Sequence, residues 1–468
     1  MTQARIVEHP QLGPGKILKT YMGGYEWEVE FDSGRRFRLP AREFETEEAE
    51  DLRRQPPRPL ANHLSRPAIL EPDQFRARQT LEALRFGIVP VQDVETLTIG
   101  LEAESVSVDR ALARTRERGG DVQCIIGDYG FGKSHFVELA ARRALRNNYV
   151  VMTASLDLLE APPNKPYEVY LSLVKSLRYP DTHEEGLAPL LQKAAKSPSA
   201  TREMTDLSPI ADRCPLALGL NALLDSNSQA VFDDIVGWLS GDIHPVKNLK
   251  PYIKKLPRLY KTGQTARLYT YLLTGLSKLA TLLGYSGLAL LIDESEHYSL
   301  LPAKQRVRAD SFFTAMIAGA VESNGGKVDI TNMPHHHYRE YPAAFAKQSQ
   351  LFFLFALTES ESKLPIEEWL SPTQMVRLDD RYIEKDIRKF MRTLVDYHGL
   401  AYAYPPNGKH YDGTLSQVPG MLSQTLSQHR INLRELIRTS VMIFDLLYLH
   451  DDYGADAILE ELKQGLRL

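Results

Sequence analysis

The sequence Gly127-Asp128-Tyr129-Gly130-Phe131-Gly132-Lys133-Ser134 has the spacing of a phosphate-binding loop. It follows an apolar run at residues 122–126 and precedes residues 134–145, whose apolar positions recur at helical spacing. The glycines therefore lie at a strand-to-helix turn, where main-chain N–H groups can surround phosphate and the helix N-terminus attracts anions. This context predicts an α/β fold with a nucleotide at the loop, and an ordinary glycine-rich turn is the alternative.

Two side chains of the loop would act directly on ATP and Mg²⁺. Lys133 would reach the β- and γ-phosphates, and the Ser134 hydroxyl would bind the metal. The predicted nucleotide-binding residues are Gly127, Asp128, Tyr129, Gly130, Phe131, Gly132, Lys133, Ser134 and His135.

A second motif places two acids after an apolar run at residues 288–292. Such a run is typical of a strand buried on both faces of a parallel sheet, whose carboxyl end binds ligands. Asp293 would bind the Mg²⁺ and Glu294 would deprotonate the attacking water, so the two motifs together predict an ATPase. Glu296 and His297 follow, and they fit either an indirect role at the site or a solvated helix start.

A third apolar run, residues 351–357, ends at Thr358. Where a sheet has an extra strand between these two motif strands, a polar residue at its tip contacts the γ-phosphate or the attacking water. Thr358 fits that position, and it fits equally well a threonine that caps the next segment.

Composition is that of a large protein without a disulfide framework or a zinc site. The chain has 468 residues, 43% of them hydrophobic, and two cysteines. No apolar stretch is long enough to cross a bilayer and no secretory signal is evident, so we expect a cytoplasmic location without membrane contact.

We divide the chain into a small β-rich domain at 1–45, a charged, proline-rich linker at 46–72, a P-loop core at 73–365 and a helical lid at 366–468.

The N-terminal segment has alternating strands and a hairpin signal at Asp32-Ser33-Gly34. Residues 9–17 and 29–34 resemble the small Tudor-like barrels attached to bacterial repair helicases and RNA-polymerase-binding regulators. The resemblance implies docking to a protein or nucleic acid through Arg35, Arg36 and Arg38. The alternative is that these arginines only solubilise a sheet edge.

The segment from residue 243 to residue 292 contains no acidic residue. Its basic and aromatic residues suit contact with DNA or RNA, or else cations that face acidic surface elsewhere. They are Lys247, Lys250, Lys254, Lys255, Arg258, Lys261, Arg267 and Lys278, with Tyr252, Tyr260, Tyr269 and Tyr271.

Three stretches resemble AAA+-type P-loop ATPases of bacteriophage exclusion (BREX) and related defence loci. They are residues 85–90, the loop together with His135, and residues 284–288 with the run that leads into Asp293 and Glu294. The resemblance spans roughly residues 75–450. It implies a parallel sheet flanked by helices, a C-terminal helical lid, kinship with origin-recognition proteins, and antiviral defence beside a helicase. This chain departs from the pattern at Phe131, which is a variable position that tolerates the change, and in its added N-terminal domain. The added domain leaves the defence subtype open.

The resemblance also implies arginines that sense the nucleotide. Arg434 is the lid candidate, and a salt-bridged helix arginine is its alternative. The candidates for an arginine that acts across a homo-oligomer are Arg306, Arg308, Arg377 and Arg381.

We therefore predict an ATP-dependent motor or switch that acts on DNA or on a helicase or other defence partner. Three alternatives stay open: a nucleotide-gated switch without nucleic acid, a helicase-loading factor, and a scaffold that binds ATP without hydrolysis.

The histidines at 335–337 suggest a metal site, but adjacent histidines cannot all face one ion, so a solvated loop is favoured.

Overall fold

The computed structural model of the chain contains two compact units, residues 1–75 and residues 76–468. The residues described below are 6–21, 26–40, 43–44, 70–242, 247–257, 259, 266–321, 328, 341–342, 344–360, 363–379, 382–404, 409–428, 431–450 and 453–465. Most of the predicted linker and the histidines at 335–337 lie outside this set.

The first unit is an antiparallel sheet with the order β1-β2-β3-β4. Its strands are β1 (Ile6–His9), β2 (Gly13–Tyr21), β3 (Glu26–Phe31) and β4 (Arg36–Pro40). The predicted hairpin is confirmed, since β3 pairs with β4 across a turn in which Gly34 has φ +76° and its N–H donates to Phe31 O. Trp27, Val29 and Phe31 supply most of its small core. Similarity to a Tudor-like barrel stays a prediction.

The second unit is built around a parallel sheet of five strands with the order β6-β7-β8-β5-β9. The strands are β5 (Gly120–Ile126), β6 (Tyr149–Ser155), β7 (Gly287–Asp293), β8 (Leu351–Leu357) and β9 (Met375–Arg377). The predicted extra strand is confirmed, because β8 pairs with the loop-bearing β5 on one side and the acid-bearing β7 on the other.

Both faces of this sheet are covered, which explains why most residues of its strands are apolar. Alternate residues of each strand enter different cores. On β8, for example, Phe353 packs into one core and Leu354 into the other. The predicted α/β class with a helix-flanked parallel sheet is thus confirmed.

Fifteen α-helices occur among the described residues. They are α1 (Pro72–Phe86), α2 (Glu102–Arg118), α3 (Lys133–Arg146), α4 (Pro166–Lys175), α5 (Ala188–Ala195), α6 (Pro198–Leu207), α7 (Pro215–Leu224), α8 (Gln229–Ser240), α9 (Ala266–Leu282), α10 (Ala303–Val321), α11 (Ile366–Trp369), α12 (Glu384–Tyr402), α13 (Lys409–Ser427), α14 (Leu433–Leu449) and α15 (Ala455–Gly465).

The C-terminal helical region has its own core, and α1 belongs to it. Ala77, Leu81 and Leu84 of α1 are buried with residues of α12, α13, α14 and α15. Helix α1 precedes the loop in the sequence and leads directly into residues 87–90, but it packs with the C-terminal helices. The domain limits at residues 365 and 366 stay predictions.

Candidate functional site

The loop at residues 127–134 joins β5 to α3, as the sequence predicts. Gly130 and Gly132 have φ angles of +86° and +83°, which residues with a Cβ rarely adopt. A Cβ on Gly130 would lie 2.9 Å from Asn432 Cγ, so the loop also needs glycine for its close contact with the start of α14. Lys133 begins α3, whose N-terminus therefore opens at the loop.

Lys133 and Ser134 both have partners that a nucleotide with its metal could replace. The Lys133 ammonium donates to Asp128 O at 3.2 Å, a carbonyl of its own loop. Ser134 and Asp293 line the same cleft, and the Ser134 side chain acts on the Asp293 carboxyl group, so the predicted metal ligands from the two motifs are neighbours. Burial raises the pKa of Asp293, aided by the charges of Glu294 and Glu296 and opposed by the Ser134 side chain and by a hydrogen bond from the Glu294 N–H. A cation bound there would relieve this excess of negative charge.

Glu294 occupies a strained backbone position at the end of β7, with φ +55°. Its carboxylate accepts a hydrogen bond of 3.0 Å from the Ser155 hydroxyl, and His297 Nδ1 lies 3.9 Å away. Ser155 is the last residue of β6 and pairs in register with Asp293, which explains the contact. The sequence interpretation missed Ser155, because only the pairing of β6 with β7 reveals it.

Thr358 lies at the tip of β8, where the sequence places it, and is 2% exposed. Its hydroxyl donates to Glu296 Oε1, and its N–H donates to Glu296 Oε2 at 3.3 Å. Glu296 lines the same cleft as Lys133 and Glu294. The sequence interpretation left Glu296 undecided, since no spacing shows that the segment after β7 turns toward β8.

The lid candidate Arg434 lies at the cleft, in the first turn of α14. Its guanidinium donates to the Tyr129 hydroxyl at 2.7 Å and lies 5.1 Å from the centre of the Tyr129 ring. Asn432 caps this helix by accepting from the Glu435 N–H, which holds the first turn against the loop. The structure thus brings a cation from the C-terminal helices to the loop.

The cleft between these groups has a volume of about 350 Å³ and an apolar wall. The wall residues include Ile88, Val89, Leu97, Ile99 and Ile437. Such a wall could receive a nucleobase, while the loop and the acids lie at its polar end.

His135 also lines the cleft and pairs with Thr98, whose Oγ1 lies 2.9 Å from His135 Nε2. Burial lowers the pKa of His135 to about 4, so this ring is neutral at pH 7. Because His135 Nε2 faces Thr98, the ring also helps to hold the residues around Thr98 in place, in addition to its predicted contact with the nucleotide.

The candidates for an arginine acting across an oligomer lie in different places. Arg377 ends β9 and pairs with Glu359, and Arg306 and Arg308 lie on α10. Arg381 lies outside the described residues.

The described residues contain no cluster of three or more His, Cys, Asp or Glu side chains that could enclose an ion. Ser134 and Asp293 supply two hard oxygen ligands in the same cleft, and Mg²⁺ commonly takes its remaining ligands from phosphates and water. The donor set therefore fits a metal that enters with a nucleotide.

Two of the aromatic residues that were expected to suit contact with DNA or RNA, Tyr269 and Tyr271, are not accessible for such contact. Both side chains are fully buried, and Tyr271 bonds to Ser208 at 2.8 Å inside the core. Lys247, Lys250, Lys254 and Lys255 are exposed, as is Tyr252. Arg258, Tyr260 and Lys261 lie outside the described residues.

Residues 73–213 match a family model described as BREX system ATP-binding protein BrxC/D. This segment includes the loop, α3 and β6. Over these residues the chain is therefore similar to ATP-binding proteins of a defence system. No curated protein matches the chain. None of the described helices combines the length and apolar character required to cross a membrane.

Proposed function

We propose that the chain hydrolyses ATP with Mg²⁺ in this cleft and couples turnover to DNA or to a helicase or other defence partner. The observation that carries the proposal is that Ser134 of the loop and Asp293 of β7 line one cleft, where the Ser134 side chain acts on the Asp293 carboxyl group. It joins phosphate-binding and acidic motifs that lie far apart in the sequence.

Each group in the cleft has a distinct task in this proposal. Lys133 binds the β- and γ-phosphates, Ser134 and Asp293 hold the metal, and Arg434 approaches the phosphates from α14. The metal neutralises charge on the phosphates when bound. Water attacks the γ-phosphorus, its proton passes to Glu294, and the bond to the β-phosphate oxygen breaks to leave ADP and phosphate.

The test is ATP turnover and ATP binding by wild type, Lys133→Ala and Glu294→Gln. We expect Lys133→Ala to lose ATP affinity, and Glu294→Gln to bind ATP while its turnover falls by about 100-fold or more. The exposed residues Lys175 and Glu203 give matched controls, Lys175→Ala and Glu203→Gln, which should behave as wild type. Wild type that binds ATP without turnover would indicate the scaffold alternative.

Contact with nucleic acid is supported by the exposed lysines at 247, 250, 254 and 255, within a segment that has no acid from residue 243 to residue 292. Replacing the four lysines by glutamine should weaken DNA binding and reduce the slope of log K against log salt by about one per lost phosphate contact. Fluorescence anisotropy of a labelled duplex measures both. If the protein does not bind DNA and its rate of ATP hydrolysis is the same with and without DNA, the alternative of a switch that acts on protein partners is favoured.

A cytoplasmic location, a homo-oligomer and docking by Arg35, Arg36 and Arg38 complete the proposal. These three arginines are exposed, and Arg36 pairs with Glu30 at 2.9 Å on the neighbouring strand.

A further inference from the structure

Thr358 and Glu296 form an unusually complete pair. One carboxylate accepts both hydrogens that the threonine can donate, the hydroxyl hydrogen at Oε1 and the main-chain hydrogen at Oε2. Thr358 is buried, with 2% of its surface exposed, whereas Glu296 is partly exposed and lines the cleft. Glu296 comes from the segment Ser295–Leu300 directly after β7, so the contact connects the ends of the two central strands.

This arrangement decides what the Thr358 oxygen can do. A hydroxyl group has one hydrogen and two lone pairs, so a hydroxyl that donates to a carboxylate can only accept from other partners. Held in this way, Thr358 cannot donate to a phosphate oxygen. It can accept a hydrogen bond from a water molecule, which is the orientation that an attacking water requires.

We infer that Glu296 is a positioning residue for ATP hydrolysis, which fixes the Thr358 hydroxyl as an acceptor for the attacking water. The inference rests on the proposed function. Neither residue gains or loses a proton in the step: the water proton still passes to Glu294, and Glu296 only keeps the Thr358 hydrogen directed away from the water. The competing explanation is that Glu296 acts through its charge on the metal site, since it also helps raise the pKa of Asp293.

Graded variants distinguish the two explanations. Glu296→Ala removes both acceptors, whereas Glu296→Gln removes the charge and keeps one oxygen that can accept from the hydroxyl. Thr358→Val removes the hydroxyl, and Thr358→Ser restores it. We expect kcat to fall by about 10- to 100-fold in Glu296→Ala and in Thr358→Val, with the KM for ATP changed less than about threefold. Glu296→Gln and Thr358→Ser should keep most of the turnover.

The double variant Glu296→Ala/Thr358→Val gives the sharpest readout. If Glu296 acts through Thr358, the double variant should turn over no more slowly than Thr358→Val alone. Multiplied losses in the double variant would overturn the inference in favour of a charge effect. Melting temperature and affinity for a non-hydrolysable ATP analogue identify variants that are merely misfolded.

The failure of this inference is distinguishable from failure of the proposed function. Wild-type protein that does not hydrolyse ATP would overturn both. Suppose instead that wild type hydrolyses ATP, that Glu294→Gln loses this turnover, and that Glu296→Ala keeps it. This result would overturn the role of Glu296 alone.

Discussion

Gly130 shows how one residue can join two parts of the site. Its backbone has a positive φ, and its missing Cβ leaves room for Asn432 at the start of α14. The loop conformation and the position of Arg434 therefore depend on the same glycine.

The change Gly130→Ala tests this dependence. The variant should lose ATP affinity by about tenfold or more, because the new methyl group adds a clash with Asn432 to a backbone strain of about 1 kcal/mol. Gly186→Ala is the matched control, since Gly186 has φ +80° and open space around its Cβ position. Isothermal titration with ATP and a thermal melt separate the two effects. Equal ATP affinities of the two variants would contradict the proposed contact.

Single residues also mark the limit of sequence interpretation here. The positions of Lys133, Ser134, Asp293 and Thr358 could be predicted, because each lies at or shortly after the end of a strand in a recognisable pattern. Ser155 and Glu296 could not, since their partners come from strands that pair only in three dimensions.

Among the elements, α1 and α14 are connected by a polar network in the C-terminal core. Arg85 of α1 donates to Asp445 of α14, and His398 of α12 lies 3.0 Å from the same carboxylate. Burial raises the pKa of Asp445, but the hydrogen bonds from His398 and Arg85 outweigh it and hold the pKa below its usual value. The network lies between the helix that leads into the apolar wall and the helix that carries Arg434.

Asp445→Asn should lower the free energy of unfolding by about 1–3 kcal/mol at pH 7. A lowered carboxyl pKa stabilises the fold above the ordinary carboxyl pKa, and this contribution is lost as pH falls through the lowered pKa. The difference from wild type in urea unfolding should therefore shrink in acid below about pH 4. Glu82→Gln is the control, because Glu82 pairs with the same Arg85 at an exposed position and should cost less than about 0.5 kcal/mol. A constant difference at every pH would contradict the assignment.

Element boundaries were largely predictable. The β8 bounds agree with the apolar run at residues 351–357, and β7 is one residue longer at each end than the apolar run at residues 288–292. It was harder to predict which side chains of a helix are buried. Tyr269 and Tyr271 of α9 lie near basic residues in the sequence, but both side chains are buried in the core between α9 and its neighbours. Periodicity alone does not show how much of a helix surface its neighbours cover.

At the scale of the whole molecule, each unit has a core of its own. Trp27, Val29 and Phe31 are buried in the first, and the sheet and helical cores belong to the second. The candidate site draws only on residues of the second unit.

A chain of residues 70–468 should therefore bind ATP with an affinity within about twofold of the full chain, as expected for a domain that contains its own core. The measurement is ATP titration of both proteins, with Lys133→Ala in each background as the control for binding at the loop. A tenfold loss of affinity on truncation would show that the first unit contributes to the site.

The pairing of β6 with β7 has a further consequence. The chain leaves the sheet after Ser155 and returns at Gly287, on the adjacent strand, so all of α4 to α9 forms an excursion with neighbouring ends. Related chains could diverge or exchange much of this excursion during evolution while the strand tips stay aligned. Movements within it would act directly on Glu294, because the excursion begins at Ser155, whose hydroxyl donates to the Glu294 carboxylate.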